Sequence, residues 1–208
     1  MSLYQDVTNK PWDQVGLPDG IECKPVFAVA NERVALTIFL IIASVLFSLF
    51  LVSYYIRMQV GDWVPLTTPD QLWLNTAALV FSSIFLQLAV FQSRRESTLR
   101  LLRGTGLLFM TGGLLAIVFI VGQYQVWGDL GAAGHSIRSN PANSFFYLLT
   151  GVHIVHLLGG LWVWSRAGIR LAQTTESGDV RLSIKLCAIY WHFLLTIWIG
   201  LFLLLANT

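Results

Sequence analysis

Acidic residues are absent from every long apolar stretch of this chain, although the sequence contains eleven Asp and Glu residues. Charged residues of both signs make up 12% of the 208 residues, hydrophobic residues make up 55%, and the mean hydropathy is +0.66. Water-soluble domains carry about twice that share of charge, at roughly 25%. The composition therefore excludes an ordinary soluble domain and indicates an integral membrane protein.

Cysteine and proline are also scarce, and their positions exclude further classes of protein. The two cysteines, Cys23 and Cys187, are too few for a disulfide framework, so we interpret both as ordinary thiols. All six prolines lie outside the apolar stretches, which argues against the kinked helices of many transporters. The net charge of +2 provides no basic surface for nucleic acid, and we expect no such partner.

Five apolar stretches fill most of the sequence. Each has about 20 residues or more, which is the length that crosses the roughly 30 Å hydrocarbon core of a bilayer as a helix. The stretches are residues 34–56, 72–91, 104–127, 144–164 and 182–206. We therefore predict an all-α, polytopic membrane protein that forms a bundle of five transmembrane helices.

The basic residues predict the orientation of the bundle. Eleven of the thirteen fall on one side when alternate connections are grouped, and only Arg57 and Arg138 fall on the other. Basic loops are retained in the cytoplasm, so we expect a cytoplasmic N-terminus and a C-terminus outside. We also expect two parts: a cytoplasmic segment at residues 1–33, which lacks the features of a signal peptide, and the five-helix domain at residues 34–208.

Three of the four histidines, His153, His156 and His192, lie inside the apolar stretches. A polar side chain at this depth costs free energy unless it is paired. The structural interpretation is a neutral imidazole that hydrogen-bonds across helices or to a residue such as Thr150 or Tyr190. The alternatives are haem ligation between two helices and a path for protons or gas. No Glu-x-x-His motif of a di-iron bundle is present, so we expect no multi-metal site.

Small residues occur where helices can approach closely in lipid. Ala78 and Ser82 are one helical turn apart, and glycine pairs occur at positions 112–113 and 159–160. We interpret all of these residues as structural.

Four short motifs together resemble subunit III of haem-copper oxidases. The segment TGVHIVH at residues 150–156 resembles that family's TGxHxxH segment, and YWHF at residues 190–193 resembles its closing helix. NT at residues 75–76 with SS at residues 82–83 resembles an earlier helix of the family, and FIVGQ at residues 119–123 resembles its FxxxQ. The order and spacing agree with the family, and the resemblance covers residues 34–208.

The resemblance implies a non-catalytic subunit that packs against subunit I, binds phospholipids, and supports oxygen access or proton uptake in a bacterial terminal oxidase of aerobic respiration. Haems and copper are expected in subunit I, with no catalytic or metal-binding residue on this chain. The implied location is the bacterial inner membrane. Members often have seven helices, so the chain is similar to a short form that lacks the first two.

The expected site residues fall into two groups. By position, Arg166 and Arg170 are similar to basic residues that hold lipid phosphate in the family, although the same cations also fit the positive-inside pattern. Trp191 is expected to face neighbouring helices or a bound lipid, because a buried indole N–H needs a partner. The expected structural polar network comprises Asn75, Gln123, Thr150, His153, His156, Tyr190 and His192.

Three positions depart from the family's pattern. Ser44 stands where the first shared helix usually carries a glutamate, Val126 replaces the glutamate of QxxEY, and Leu195 replaces the aspartate after YWHF. Because an intramembrane carboxylate is costly and is normally kept for function, we expect a chain that retains the scaffold role but lacks a carboxylate-based proton relay.

Two other functions are open alternatives. The missing carboxylates favour a subunit III-like partner of a nitric oxide reductase system. A small b-type cytochrome could use His153 or His156 together with His192 as haem ligands. A transporter is disfavoured by straight helices that lack carboxylates.

Overall fold

The structure is a computed structural model that describes residues 31–66, 69–95, 104–173 and 177–207. Within those ranges all regular structure is helical, and residues 104–105 form a π-helical turn at the start of the third helix. The helices are α1 (Asn31–Met58), α2 (Gln71–Arg95), α3 (Gly106–Ala132), α4 (Pro141–Gln173) and α5 (Ser177–Ala206). The predicted all-α class is confirmed.

Each of these helices is long and apolar enough to cross a membrane, with candidate spans of 25 to 32 residues. At about 1.5 Å per residue, even the shortest exceeds the roughly 30 Å of hydrocarbon in a bilayer. The protein is therefore a multi-pass membrane protein, as its sequence predicts. The predicted segment at residues 1–33 lies almost entirely outside the described residues, so the boundary between the two expected parts stays a prediction.

Helices α2 to α5 pack as a ring of four. The most extensive contact is between α2 and α3, and further contacts join α2 to α5, α4 to α5, and α3 to α4. Fully buried apolar side chains come from all four helices, among them Leu79, Phe119, Leu157 and Trp198. The ring therefore has a core of its own, and this core positions the polar side chains described below.

Close packing within the ring depends on glycines. A Cβ atom added at Gly113 would lie 2.1 Å from Cε2 of Trp164, and one added at Gly160 would lie 2.7 Å from Cε1 of Tyr190. Real Cβ atoms do not approach other atoms that closely, so both positions need glycine. By contrast, a Cβ at Gly159 would have nothing within 4 Å. Of the glycine pair at positions 159–160, only the second lies at a tight contact.

Helix α1 contacts α4 and α5 through aromatic rings. The ring centroid of Phe47 is 5.2 Å from that of His156, and the centroid of Phe39 is 5.9 Å from that of Tyr190. Only 11% of the most apolar window of α1 is buried inside the structure, against 39% to 50% for the other four helices. Most of the apolar surface of α1 therefore faces away from the ring.

Asn140 ties the connection between α1 and α2 to the start of α4. Its side-chain amide donates to the carbonyl oxygen of Val64, and its Oδ1 accepts from the backbone N–H of Ala142 at 3.2 Å. Pro141 is the first residue of α4, a position where no helical N–H bond is lost. Asn140 therefore caps α4 and also holds the preceding connection in place.

Candidate functional site: the polar interior of the helix ring

Trp191 of α5 begins a chain of hydrogen bonds that crosses the ring. Its Nε1–H donates to Oγ of Ser82 at 3.0 Å, and the Ser82 hydroxyl donates to the carbonyl oxygen of Gly112 at 2.6 Å. These two bonds link α5 to α2 and α2 to α3. The side chain of Trp191 is 0% exposed, so the structure gives it protein partners and no surface that could contact a lipid.

Three other tryptophans join helices in the same way. Each donates its indole N–H to a hydroxyl or carbonyl oxygen on a neighbouring helix at 2.9 to 3.1 Å. The pairs are Trp127 with Thr150 Oγ1, Trp164 with the carbonyl of Phe109, and Trp198 with Thr76 Oγ1. Inside a bilayer, where water is excluded, such bonds satisfy polar groups and fix the helices relative to one another.

His153 lies in the core of the ring and is 0% exposed. Its ring centroid is 5.1 Å from that of Trp198 and 5.8 Å from that of Phe119. Neither ring nitrogen has a hydrogen-bond partner among the described residues, and the same holds for Nδ2 of Asn75 and for both amide atoms of Gln123. Buried polar atoms of this kind are usually satisfied by ordered water. The interior therefore contains several buried polar atoms whose hydrogen bonds are not supplied by the described residues.

The remaining members of the predicted network bond mainly along or near α4. Tyr190 donates its hydroxyl to the carbonyl oxygen of His156 at 2.8 Å, and Nδ1 of His156 lies 2.8 Å from the carbonyl oxygen of Val152. Thr150 donates to the carbonyl oxygen of Phe146 at 2.7 Å. Tyr190 thus connects α5 to α4, and Thr150 connects α4 to α3 only as the acceptor from Trp127, whereas the imidazole of His156 bonds within its own helix.

His192 differs from His153 because it is exposed on the outer surface of α5. Its Nδ1 lies 2.6 Å from the carbonyl oxygen of Ala188, one turn earlier on the same helix. A carbonyl oxygen can only accept, so Nδ1 carries the proton, and Nε2 of the neutral ring is left as an acceptor.

The three intramembrane histidines do not converge on one site. His153 packs against Phe119 and Trp198 inside the ring, His156 packs against Phe47 of α1, and His192 is exposed on α5. Among the residues that the structure describes, no three His, Cys, Asp or Glu side chains are grouped as metal ligands. A haem clamped between two of these histidines does not fit this arrangement.

Arg166 and Arg170 are exposed near the end of α4. The guanidinium carbon of Arg166 is 5.0 Å from the ring centroid of Trp162, which is itself 62% exposed. Beside them, an apolar hollow of about 570 Å³ between α3 and α4 is lined by side chains that include Leu107 and Ile169. Two exposed cations next to an apolar hollow suit a phospholipid, and their lipid-binding role stays a prediction.

The three departures from the family's pattern occupy ordinary positions for uncharged side chains. Ser44 donates to the carbonyl oxygen of Leu40 at 2.7 Å, and Val126 is buried at 1% exposure. Leu195 lines an open hollow on the outer surface, together with His192.

Outside the ring, Arg57 and Asp62 form an ion pair near the end of α1. Both guanidinium NH groups donate to the carboxylate at 2.6 Å. The hydrogen bonds from Arg57 lower the pKa of Asp62 below its ordinary value. Asp62 is exposed and Arg57 is partly exposed, so we treat the pair as a local contact of the connection.

One residue of functional interest is absent from the sequence-based expectations. Gln87 of α2 lines the same outer hollow as His192, although the two residues lie on different helices. The sequence feature that could have identified Gln87 is its polar amide within the apolar stretch at residues 72–91. It lies seven residues before Arg94. Sequence alone does not show which helix lies beside it.

No family model matches the chain. It is nevertheless similar to curated proteins over most of its length. A probable cytochrome c oxidase subunit 3 of Nocardia farcinica is 32% identical over 158 residues, which cover 74% of this chain and 76% of that protein. A protein of Mycobacterium tuberculosis with the same description is 31% identical over 158 residues, with the same coverage. The cytochrome c oxidase subunit 3 of Thermostichus vulcanus is 29% identical over 181 residues, or 82% and 84% of the two chains.

These matches cover about three quarters of the chain and confirm the resemblance that its motifs indicate. The five membrane-spanning helices and the hydrogen-bonded ring agree with that assignment. The chain belongs to the cytochrome c oxidase subunit 3 family.

Proposed function

We propose that the chain is a non-catalytic, lipid-binding subunit of a bacterial haem-copper terminal oxidase, in which it stabilises subunit I. Membership of the family makes it part of an oxidase complex. Its relatives are named as cytochrome c oxidase subunits, which favours oxygen over nitric oxide as the electron acceptor of that complex.

The observation that carries the proposal is the use of polar side chains inside the ring. Hydrogen bonds to neighbouring helices are donated by Trp191, Ser82 and Trp198. Close contact between helices is made possible by Gly113 and Gly160. This arrangement holds a fixed shape, and within the described ranges no three His, Cys, Asp or Glu side chains converge on one point. A rigid membrane-embedded body of this kind suits support of a neighbouring subunit.

Haems and copper are accordingly assigned to subunit I in this proposal. The separation of His153, His156 and His192 supports that assignment, because no two of them face a common site. The small b-type cytochrome is thereby disfavoured.

Phospholipid binding is proposed at Arg166 and Arg170. A phosphate group would pair with the two exposed guanidinium groups, and an acyl chain would occupy the hollow between α3 and α4. Trp191 has no part in this site, because its indole is buried against Ser82.

The proposed contribution to turnover is oxygen access, without a carboxylate relay for protons. Ser44, Val126 and Leu195 are uncharged side chains at the positions where the family usually carries carboxylates. A carbodiimide, which modifies protonated buried carboxyls, should therefore leave the five apolar stretches of this chain unlabelled. Labelling inside one of these stretches would contradict this part of the proposal.

The proposed setting is the bacterial inner membrane, with the N-terminus in the cytoplasm. The support is the distribution of basic residues, with Arg94, Arg166, Arg170 and Lys185 toward one end of the bundle. We refer to this end, where α2 and α4 finish and α5 begins, as the basic end.

The experiment that tests the function compares native membranes with and without the chain. Deletion should shorten the half-life of oxidase activity on heating, and re-expression of the full chain should restore it. Mild-detergent purification of the tagged chain should recover the haem-containing subunit. An oxidase of unchanged stability after deletion, or a chain that purifies alone, would contradict the proposal.

A further inference from the structure

The outer surface between α2 and α5 carries a continuous hollow with polar side chains at its floor. One part, of about 300 Å³, extends from Gln87 and His192 toward Ser83 and Leu195. A second part, of about 360 Å³, extends from the same Gln87 and His192 toward Arg94 and Lys185. Because both parts share two residues, they form one groove that leads from the basic end into the bundle. We call it the α2/α5 groove.

The polar floor of the groove lies well inside the membrane-spanning part. Gln87 precedes Arg94 by seven residues on α2, and His192 follows Lys185 by seven residues on α5. At 1.5 Å per residue, each polar side chain lies about 10 Å deeper in the bilayer than the cation on its helix. The groove therefore pairs two cations at the membrane surface with two hydrogen-bonding groups in the hydrocarbon region.

These two hydrogen-bonding groups have capacity that the described residues leave unused. Gln87 is only partly buried, and no described residue makes a hydrogen bond with its amide. His192 is exposed, and only its Nδ1 is occupied, by the carbonyl oxygen of Ala188. An amide or an imidazole that faces acyl chains costs free energy, since lipid tails neither donate nor accept hydrogen bonds.

Exposed apolar side chains continue the groove along both helices. Ile84 and Phe91 of α2 are 47% and 52% exposed, and Ile189 and Ile199 of α5 are 41% and 39% exposed. The resulting strip follows the long axis of the bundle for several helical turns. Its shape suits an extended apolar partner that lies alongside α2 and α5.

We infer that the α2/α5 groove is the docking surface for one transmembrane helix of the partner subunit that the proposed function assigns to this chain. That helix carries a side chain with an N–H or O–H donor at the level of His192 Nε2 and the Gln87 amide. It also carries an acidic group at the level of Arg94 and Lys185. Charge complementarity at the surface fixes the register, and the buried hydrogen bonds fix the contact.

A phospholipid satisfies only half of these features. An anionic headgroup would pair with Arg94 and Lys185, whose cations have no ion-pair partner among the described residues. Its acyl chains would leave Gln87 and His192 unpaired in the hydrocarbon. A helix of a different subunit can supply both an acidic group at the membrane surface and a hydrogen-bond partner in the hydrocarbon region. The crosslinking experiment below distinguishes such a helix from a second copy of this chain.

Site-specific photocrosslinking in native membranes tests the identity of the occupant. Ile84 or Ile189 is replaced by p-benzoylphenylalanine in the full chain, and Val118, which is 57% exposed on α3, is replaced as the matched control. We expect adducts with another oxidase polypeptide at positions 84 and 189, and none with that polypeptide at position 118. Adducts at 84 and 189 that contain only phospholipid, or only a second copy of this chain, would overturn the inference.

A double variant tests the polar floor directly. Gln87→Leu combined with His192→Leu keeps the groove apolar and similar in volume but removes its hydrogen bonds. We expect about tenfold less oxidase recovered per copy of the chain, the loss that follows from one or two intramembrane hydrogen bonds. Thr111→Val on α3, where the hydroxyl bonds only within its own helix, should change recovery by less than about twofold. Equal recovery for both variants would overturn the inference.

Charge reversal tests the surface end of the groove. Arg94→Glu should lower recovery, whereas Arg95→Glu, on the neighbouring residue outside the groove, should not. The amount of each variant in the membrane and its elution in detergent report whether it folds. If the double variant does not accumulate, the crosslinking pattern decides the question.

The same experiments separate this inference from the proposed function. If the wild-type chain recovers no oxidase subunit, the proposed function fails. If it recovers the oxidase but crosslinks to it at position 118 and not at positions 84 and 189, only the docking surface is wrong.

Discussion

Helix α1 is more apolar in sequence than any helix of the α2 to α5 ring, and the two regions are held by different interactions. In the four-helix ring, glycines allow aromatic side chains of neighbouring helices to pack against the backbone. Indole N–H groups also donate hydrogen bonds across helices, as Trp191 does to Ser82. Helix α1 packs against the ring through the aromatic side chains of Phe39 and Phe47. Only 11% of its most apolar window is buried. In lipid, where tails are as apolar as leucine, hydropathy does not decide which helices associate. Helix association is decided by close packing and by hydrogen bonds between helices.

The largest effect that this comparison predicts comes from Gly113→Ala. The added Cβ would lie 2.1 Å from the ring of Trp164, and that ring is held in place by its bond to the carbonyl oxygen of Phe109. We expect a loss of about 3 kcal/mol, as for severe overpacking. The measurement is the fraction of chain that remains monodisperse on size exclusion after heating in detergent. Gly159→Ala is the matched control, because its Cβ would contact nothing; equal losses in the two variants would break the comparison.

A smaller loss is expected from Trp191→Phe. This change removes the hydrogen bond to Ser82 and part of a fully buried ring, at a cost of about 1 to 2 kcal/mol in the same assay. Trp162→Phe, at a tryptophan that is 62% exposed, should be nearly neutral. If Trp191→Phe were also neutral, the indole bonds would not be what holds the ring together.

For α1, the expected loss of stability is smaller still. Phe39→Ala removes ring contacts with His156 and Tyr190 at centroid distances of 6.1 and 5.9 Å, and Phe39 is already 44% exposed. We expect a loss of about 0.5 to 1 kcal/mol, typical of one aromatic pair. Phe81→Ala, at an outward position of α2 that is 54% exposed, serves as the control. A loss greater than that of Trp191→Phe would show that α1 is as firmly held as the ring.

The smallest effect is expected from the exposed pair of Arg57 and Asp62. The hydrogen bonds from Arg57 lower the pKa of Asp62 below its ordinary value of 3.8. A lowered carboxyl pKa stabilises the folded state above the ordinary value, and that contribution is lost as the pH falls through the folded value. Asp62→Asn should therefore lower the midpoint of thermal unfolding slightly at neutral pH, and the difference from wild type should vanish in acid. A difference that grows in acid would contradict this sign.

Much of the fold could be predicted from the sequence because hydrophobic length is a local property. All five predicted stretches fall on helices, and the helices extend past them where polar residues reach the membrane surface. Asn140 and Pro141 mark the start of α4 with recognisable local signals. The first 30 residues of the predicted segment 1–33, with Cys23, lie outside the described residues, as do Arg100 and Arg103. Residues 31–33 belong to α1.

The residues of the candidate site could be identified from sequence motifs, but their neighbours on other helices could not. The spacing of the motif predicts that His153 and His156 lie on one helix, three residues apart. It does not predict which residues of other helices surround each imidazole. His153 contacts Phe119 and Trp198, and His156 contacts Phe47. The burial of Trp191 and the position of Gln87 beside the same hollow as His192 depend likewise on which helices lie side by side. A single sequence does not encode that in any periodicity.

The most direct test of the account is the optical spectrum of the chain across one purification. The tagged chain is isolated from native membranes in mild detergent, its haem absorbance is recorded, and it is then separated from its partners in a stronger detergent. We predict that haem absorbance comes with the complex and stays with the partner subunit after separation. A Soret band that remains with this chain, and disappears in His153→Ala or His192→Ala, would contradict the account.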